Sequence, residues 1–450
     1  MKLFVKDKYF YKTFFSMTGV IALQNLITFA VNLADNVMIG GYSQTALSGV
    51  AMVNQIQFLL QMLMQGTGAA IGVLGAQYWG KKDLQPIRKV TSIGVLLGII
   101  LSAIMMLLVY FFPRQTLGLL TNEPAVIEEG SKYLVIICFS YVLFGISNNL
   151  LSALRSVETV KIGFVVNLIA LVVNIVLNYG LIYGRLGLPE MGVQGAAIAT
   201  LCARIVEFII VLGYVLLFDK KICWRPKNLF HIDLPMLRDY IRIGLPVILS
   251  NGVWGVAMSV QTAILGRLGE DTIAANSIAT TLFQVVTVVT YASGNASSVL
   301  IGKTVGEGDI PRVKAYTKSL QFIYIGIGIL TGVLLFLCKD IIIGLYDISS
   351  QARVLSEQFI TVLSVTVVGT SYQCACLAGI VTGGGDTKFV LINDLIHQWL
   401  IVIPAAYLSA FVLGWPLWVT FLFLKSDQIL KCFVAIFKVN RYRWIHELTR

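Results

Sequence analysis

The stretch AVNLADNVMIGGY, from Ala30 to Tyr42, places one carboxylate, Asp35, inside a long apolar segment. Asn32 and Asn36 lie close to it, and a Gly-Gly pair ends the run. A charged side chain at the centre of a membrane helix costs about 2.5–3.5 kcal/mol on insertion scales, so such residues usually face a bundle interior or a water-filled cavity. Asp35 is therefore the first candidate for a functional residue. The alternative is a hydrogen-bonded or solvated Asp near a helix end with no function of its own.

The composition is that of a polytopic membrane protein. The 450 residues are 57% hydrophobic and 13% charged, with a mean hydropathy of +0.81, whereas soluble domains carry about 25% charged residues. The first apolar stretch is longer than that of a signal peptide, so no cleavable signal is expected. The seven cysteines lie mostly in apolar segments and predict neither disulfides nor a zinc site.

Apolar runs of about 20 residues predict helices that cross a membrane. The chain contains twelve such runs, so we predict an all-α integral membrane protein with twelve transmembrane helices. The predicted helices cover residues 14–40, 49–77, 90–112, 132–154, 162–184, 193–218, 243–266, 274–302, 319–338, 358–381, 389–411 and 415–437.

The basic residues predict the orientation of these helices. Most of the 34 Lys and Arg residues fall at the two termini and in the loops on the same side of the membrane. By the positive-inside rule this side is cytoplasmic, which predicts a multi-pass protein of the cell (plasma) membrane with both termini in the cytoplasm. Topology thus explains the net charge of +11, and nucleic acid is not predicted as a partner. Only six basic residues fall on the opposite face: Arg114, Lys132, Arg185, Arg267, Lys339 and Arg353.

The two halves of the chain resemble each other in sequence. With six helices each, they have the same orientation, so we predict two six-helix lobes related by a parallel pseudo-two-fold axis along the membrane normal. The lobes are predicted over residues 1–218 and 243–450, joined by a cytoplasmic linker over residues 219–242. A single ungapped shift aligns Gly40 with Gly266, Gly68 with Gly294, Gly80 with Gly306 and Asp83 with Asp309.

The repeat is informative where it breaks. Asp35 aligns with Gln261, so the membrane carboxylate belongs to the N-terminal half only. A purely structural residue would not require this asymmetry.

A second group of polar residues lies in the fifth and sixth predicted helices. Asn174 and Asn178 are four residues apart and therefore share one helix face. Carboxylate and amide oxygens are ligands that suit hard cations such as Na⁺, and a carboxylate alone can carry a proton. We predict a coupling-ion site of Asp35, Asn174, Asn178 and Thr200, with Asp35 as the metal ligand if Na⁺ is coupled. The alternative is hydrogen bonding between helices, worth about 0.6 kcal/mol on average.

Other charged residues also fall within helices. Arg204 and Glu207 are three residues apart and predict a structural ion pair. Asp394 and His397 have the same spacing and predict either a proton relay or a packed, hydrogen-bonded pair. Asp386 follows three glycines in a cytoplasmic turn. Asp394, His397 and Asp386 are secondary candidates.

Motifs for ATP use and for hydrolysis are absent from the sequence. The Gly-rich turn before Asp386 lacks the Lys-Ser/Thr pattern of a phosphate-binding loop, and neither HExxH nor GxSxG occurs. The sequence therefore predicts no enzyme and no cofactor, with Na⁺ or H⁺ as the coupling ion.

Several stretches then point to a known family. LADNVMIGGYSQTALSGVA and GAQYWGKKD in the first half resemble the multidrug and toxic compound extrusion (MATE) family of bacterial type. GLPVILSNGVWG, AILGRLGEDTIAANSIA, VLIGKTVGEGD and GGGDTKF in the second half are similar to the same family, as are NIVLNYGLIYG and GVQGAAIAT. The resemblance covers about residues 10 to 445, and the order of the motifs carries it.

This resemblance implies a twelve-helix exporter of two lobes that exchanges organic cations and other amphipathic toxins for Na⁺ or H⁺. It implies that Asp35 is the coupling-ion residue and that Asn174 matches a cation-site Asn. Asn178 stands where some members carry Asp, which leaves one carboxylate in the site. Asp386 matches an acidic position that is functional in some relatives, and it fits a structural turn as well.

The hypothesis from the sequence is a secondary active multidrug efflux antiporter that works by alternating access of its lobes. Its predicted partners are small amphipathic or cationic substrates and membrane lipid, and it is predicted to act as a monomer. The alternatives are a flippase of a lipid-linked precursor, a membrane-embedded enzyme and a channel.

Overall fold

Helices make up nearly all of the regular structure in the computed structural model, which describes residues 5–230, 233–344, 346 and 348–449. These residues contain no strand, in agreement with the all-α prediction. The helices are α1 (Lys8–Tyr42), α2 (Gln44–Gly80), α3 (Leu84–Phe111), α4 (Pro113–Gly118), α5 (Pro124–Ile137), α6 (Ser140–Ser156), α7 (Lys161–Tyr183), α8 (Gly192–Gly213), α9 (Leu234–Gly266), α10 (Glu270–Gly306), α11 (Ile310–Ile343), α12 (Ser350–Cys374), α13 (Thr387–Leu395), α14 (Ile403–Tyr407), α15 (Leu417–Leu424) and α16 (Asp427–Asn440).

Within the described residues, ten helices are long and apolar enough to cross a membrane. The helices α5 and α6 meet at a bend of 54° and provide an eleventh span if they are taken together. These spans contain the first eleven predicted segments. The twelfth, predicted over residues 415–437, is helical but divided between α15 and α16. Lys425, Ser426 and Asp427 stand at the break and interrupt its apolar run.

Equivalent helices begin in the same way in the two halves of the sequence. The helices α2 and α10 each contain 37 residues. Asp83 caps α3 by accepting a hydrogen bond from the Gln85 N–H, and Asp309 caps α11 by accepting one from the Arg312 N–H. A capping Asp satisfies a backbone donor that the first helical turn leaves unpaired. The Asp residues aligned by the repeat therefore have the same structural role.

The chain divides into two compact units. The N-terminal unit is Leu23–Ile248, and the C-terminal unit combines Met1–Ala22 with Leu249–Arg450. The chain passes from one unit to the other inside α1 and inside α9. The units therefore differ from the predicted lobes, which were divided between helices.

The predicted linker, residues 219–242, belongs mainly to the fold of the N-terminal unit. The Asp219 carboxylate accepts hydrogen bonds from three backbone N–H groups that follow it. Trp224 is buried and donates its indole N–H to a serine of α3 at 2.8 Å. The helix α9 begins inside this stretch. The residues predicted to form a linker thus form a capped turn and the start of a helix. Residues 231 and 232 lie outside the described part of the chain.

In the N-terminal unit, the close approach of α7 and α8 depends on Gly195. A Cβ atom at this position would lie 2.5 Å from the backbone oxygen of Leu181. Interiors are packed too densely for such an overlap to be absorbed without backbone movement. Because α7 carries Asn174 and Asn178 and α8 carries Thr200, this contact sets the distance between the polar groups of the site.

In the C-terminal unit, three stretches of the described chain are π-helical: Ala375–Val381, Ile396–Val402 and Leu408–Val412. A π-helical turn holds an extra residue per hydrogen-bonded ring, so it changes which side chains share a face, and such turns are frequent at functional sites. Nearby, the rings of Phe359 and Phe421 stack with their centroids 4.1 Å apart in the apolar core of this unit.

Candidate functional site

Asp35 lies on α1 within the N-terminal unit and is 8% exposed. Its Oδ1 accepts a hydrogen bond from the Asn178 amide of α7. The same amide nitrogen lies 3.1 Å from Asn174 Oδ1, and Asn174 Nδ2 donates to Thr200 Oγ1 at 3.2 Å. The structure therefore brings the four residues of the predicted coupling-ion site into one hydrogen-bonded cluster. We call these four residues the Asp35 cluster.

The Asp35 cluster retains a side-chain oxygen that is free to bind a ligand. The side-chain oxygen of Asn178 is buried and accepts no hydrogen bond from the described residues, although buried polar atoms are normally paired. The Asp35 carboxylate accepts a hydrogen bond from the Asn178 amide through Oδ1. An ionised carboxylate oxygen and an unpaired amide oxygen are suited to a small hard cation, and the carboxylate is also suited to a proton.

Tyr133 of α5 belongs to the surroundings of the Asp35 cluster and was not predicted. Its side chain is buried, and its hydroxyl is within electrostatic range of Asp35 and interacts with Thr200. The sequence contains 18 Tyr residues, and no spacing in the fourth predicted helix distinguishes this one. Only the packing of α5 in the N-terminal unit identifies it.

Arg204 and Glu207 form an ion pair on α8, with Nη1 and Oε2 2.6 Å apart. The Glu207 side chain is buried, and the guanidinium carbon of Arg204 lies 4.9 Å from the centroid of the Phe144 ring. Arg204 is also within electrostatic range of Asp35. Because Glu207 balances its charge, Arg204 does not neutralise Asp35 by direct pairing.

Asp394 and His397 have different hydrogen-bond partners, and no hydrogen bond joins the two side chains in the described structure. The Nδ1 atom of His397 lies 2.8 Å from the backbone oxygen of Asn393. Asp394 instead accepts hydrogen bonds from Ser250 and Lys431. The π-helical stretch that begins at residue 396 changes the spacing on which the pairing relied.

Lys431 of α16 occupies the centre of a second buried polar group, in the C-terminal unit. Its Nζ lies 2.8 Å from Asp394 Oδ1 and 3.5 Å from Asp427 Oδ2, and its side chain is 5% exposed. The pair of Asp394 and Lys431 joins α13 to α16 across 37 residues of sequence, so local spacing gave no sign of it. We call Asp394, Asp427 and Lys431 the Lys431 network.

Gln261, which aligns with Asp35 in the repeat, is connected to the Lys431 network. Its Nε2 donates to Gln398 Oε1 at 3.1 Å, and Gln398 Nε2 donates to Asp427 Oδ2 at 2.7 Å. All these residues belong to the C-terminal unit. The repeat position that holds the Asp35 carboxylate in the N-terminal unit thus holds the Gln261 amide in the C-terminal unit. This amide is the last member of a chain of hydrogen bonds that leads to Asp427.

Asp386 caps α13 and holds a turn. Its carboxylate accepts a hydrogen bond from the Phe389 N–H at 3.4 Å, and its Oδ2 lies 2.6 Å from Lys438 Nζ and 3.9 Å from His446 Nε2. These contacts fit the structural alternative for this residue.

Metal ligands of the usual kind are not grouped in the described part of the chain. No three His, Cys, Asp or Glu side chains come together there, and the seven cysteines are all free thiols.

Long apolar helices and a buried carboxylate–amide cluster define a class, that of polytopic membrane transporters with an ionisable site inside a helical bundle. The family model MatE matches residues 21–180 and 246–408. The chain belongs to this family, the MATE family of efflux transporters, whose members carry out transport rather than catalysis.

Curated relatives and solved structures agree with this membership. The chain is 28% identical over 400 residues to the probable multidrug resistance protein NorM of Photorhabdus laumondii, covering 88% of this chain and 86% of the relative. It is 25% identical to the multidrug resistance protein PmpM of Pseudomonas aeruginosa, covering 88% and 83%. A MOP superfamily transporter from Pyrococcus furiosus has the same fold, with a TM-score of 0.88, 19% identity and coverage of 98% and 97%. The Vibrio cholerae MATE transporter VcmN also has this fold, with a TM-score of 0.88, 17% identity and 98% coverage of both chains.

Proposed function

We propose that this protein is a secondary active efflux antiporter that exports small organic cations and other amphipathic molecules in exchange for Na⁺ or H⁺. The observation that carries the proposal is the buried Asp35 carboxylate, which is held by an amide whose own oxygen has no hydrogen-bond partner among the described residues. The relatives named as multidrug resistance proteins support the substrate class.

The coupling follows from competition for one negative charge. A buried carboxylate that lacks a counter-ion of its own is costly to keep ionised. Either the coupling ion or a cationic substrate relieves that cost, so each one favours release of the other. Binding shifts the equilibrium between outward- and inward-open states only as far as the ligand prefers one of them.

The two candidate ions would use the Asp35 cluster differently. Na⁺ would take Asp35 together with the neutral oxygens of Asn174, Asn178 and Thr200, since hard cations prefer several oxygen ligands. A proton would take the Asp35 carboxylate alone, and the amides would remain hydrogen-bonded around the neutral acid. No other cofactor is included in the proposal.

The proposal includes the twelve-helix topology. The eleven spans described above would be completed by α15 and α16 as a broken twelfth, and the two ranges matched by the family model support two lobes related by a parallel pseudo-two-fold axis. Both termini would lie in the cytoplasm, and the protein would act as a monomer in the cell membrane.

The test is fluorescent-cation efflux from reconstituted vesicles, with Na⁺ and H⁺ gradients imposed separately on wild type and Asp35→Asn. Asparagine keeps the size and hydrogen bonding of the side chain and removes its ionisation. We expect gradient-driven efflux in the wild type and its loss in Asp35→Asn, with the effective gradient identifying the ion.

Asp83→Asn is the matched control, because it makes the same substitution at a carboxylate of the same unit that caps α3 and is not part of the Asp35 cluster, and asparagine is an equally good N-cap. It should retain ion-driven efflux. Full efflux by Asp35→Asn would refute the role of Asp35. Absence of wild-type efflux under both gradients would instead favour a flippase of a lipid-linked precursor. A lipid-scrambling assay in the same vesicles would detect that activity.

A further inference from the structure

A polar cavity of about 300 Å³ lies in the C-terminal unit, and no residue of the Lys431 network is among the described residues that line it. Its walls come from α9, α10 and the break between α15 and α16. The side chains that line it are mainly amides and hydroxyls, and among the described lining residues none is Asp or Glu. The polar lining residues on which the following argument depends are Gln261, Asn276, Thr280, Gln284 and Lys425.

Lys425 is the one charged side chain that lines this cavity in the described structure. Its ammonium nitrogen lies 5.6 Å from the centroid of the Phe421 ring, and it forms no ion pair or side-chain hydrogen bond with the described residues. A cation held only by an aromatic face keeps its three N–H donors available.

The nearest acid does not compete for Lys425 by direct contact. Asp427 is within electrostatic range of Lys425. However, Asp427 already accepts a hydrogen bond from Gln398 and lies 3.5 Å from Lys431. Lys431 is thus the counter-ion of both Asp394 and Asp427, and Lys425 lines the cavity.

Among the neutral lining groups, the Asn276 amide keeps its NH₂ group available as a donor, whereas Gln261 uses its NH₂ group to donate to Gln398. The side-chain oxygen of Asn276 accepts from Thr280 at 3.4 Å, which directs the Asn276 NH₂ group elsewhere. Gln261 is fixed by its hydrogen bond to Gln398. One ammonium and one or more amide NH₂ groups in a cavity without acids are complementary to an anionic oxygen group.

We infer that this cavity is a subsite for a carboxylate or similar oxyanion carried by the exported molecule, with Lys425 as the charged anchor. It rests on the proposed efflux function and names its substrate class: amphipathic molecules that bear an acidic group, including zwitterions, are preferred over the same molecules with that group masked. The preference would be a property of binding to the C-terminal unit, independent of the ion that Asp35 takes.

The experiment measures binding to the purified full chain in lipid nanodiscs. The probes are an aromatic amino acid derivative with a free carboxylate and its methyl ester, titrated by intrinsic fluorescence or calorimetry. A hydrogen-bonded charge pair in a sheltered site supports at least a tenfold preference, so the wild type should bind the free acid about tenfold more tightly than the ester.

Three variants identify the source of the preference. Lys425→Gln should bind the acid and the ester equally, and Lys425→Arg should restore the preference. Lys339→Gln is the matched control, because Lys339 also lies over an aromatic ring of the C-terminal unit, 4.6 Å from the Phe336 centroid, and does not line the cavity. It should keep the wild-type preference.

Two results would overturn the inference. One is a wild type that does not distinguish acid from ester. The other is Lys425→Gln that weakens both probes equally or neither, since a structural role would affect them alike. Loss of ion-driven efflux in vesicles would refute the antiporter while leaving the binding preference measurable, so the two failures are distinguishable.

Discussion

Asp35 and Gln261 occupy equivalent positions of the internal sequence repeat, but only one of the two positions lies beside carboxylates that have a counter-ion. Asp35 is a buried carboxylate held by the Asn178 amide, and the Asp35 cluster contains no cation. Gln261 is neutral and leads through Gln398 to carboxylates that already have Lys431 as a counter-ion. The same fold position is thus left with an unbalanced charge in one unit and a balanced one in the other.

The difference has an energetic consequence. A buried ion pair is costly to break because the remaining partner is left as an uncompensated charge. A buried carboxylate without a partner is already in that condition, so its removal relieves a cost. Under the proposed function, this difference would suit the N-terminal unit to exchange a ligand and the C-terminal unit to keep its buried ion pairs.

The largest expected effect comes from neutralising the carboxylates of the two units in parallel. Asp394→Asn should lower stability by about 3 kcal/mol, because the buried Lys431 loses its closest partner. Asp35→Asn should leave stability unchanged or raise it. Thermal unfolding of each purified variant in the same detergent measures the difference. The double variant Asp394→Leu/Lys431→Met should recover part of the loss, and equal melting temperatures for Asp394→Asn and Asp35→Asn would remove the proposed contrast.

A second prediction concerns the packing that brings the Asp35 cluster together. Gly195→Ala should destabilise by about 2 kcal/mol, since the added methyl group overlaps the backbone of α7. It should also weaken ion-driven efflux, because α7 and α8 would move apart at the site. Gly326→Ala on α11 is the control: its Cβ would meet no atom within 4 Å, so better helix propensity should stabilise it by about 0.5–1 kcal/mol. A Gly195→Ala protein as stable as the wild type would show that this contact is not needed.

How much of this could be predicted differs between the two units. Asn174 and Asn178 share a face by simple helical spacing, and Asp35 is conspicuous in an apolar run, so the sequence predicts the cluster that the structure contains. Within the Lys431 network, Asp427 and Lys431 are four residues apart on one helix, but Asp394 and Lys431 are separated by 37 residues of sequence. The π-helical turn at His397 changes the spacing on which a pairing with Asp394 depended. Local pattern predicts contacts within a helix or between strongly polar outliers, and it does not predict tertiary pairs or irregular turns.

The smallest effect concerns Asp7, a half-buried carboxylate outside both polar clusters. A hydrogen bond from the Tyr316 hydroxyl, with help from Arg312, lowers the pKa of Asp7 below its usual value. A lowered pKa in the folded state stabilises the protein above the pKa of the unfolded chain, about 3.9, and this contribution is lost as the pH falls through the folded value.

Asp7→Asn should therefore cost less than about 1 kcal/mol at neutral pH, as expected for a partly exposed pair. The gap in melting temperature between wild type and variant should close as the pH falls through the lowered pKa of folded Asp7. A gap that stays constant with pH would mean that the Asp7 charge contributes nothing to stability.

Under the proposed antiport, the single carboxylate of the Asp35 cluster would limit how steep a substrate gradient the protein can build. If one monovalent cation is exchanged for one singly charged organic cation, no net charge crosses the membrane, and a tenfold ion gradient supports at most about a tenfold substrate gradient, or about 1.4 kcal/mol. If the exported molecule also carries a carboxylate on Lys425, it is a zwitterion, and each cycle moves one net charge. Every 100 mV of membrane potential then adds about 2.3 kcal/mol, equivalent to a further concentration ratio of roughly 40-fold. An acidic group on the cargo would thus turn an electroneutral exchange into one that the membrane voltage drives.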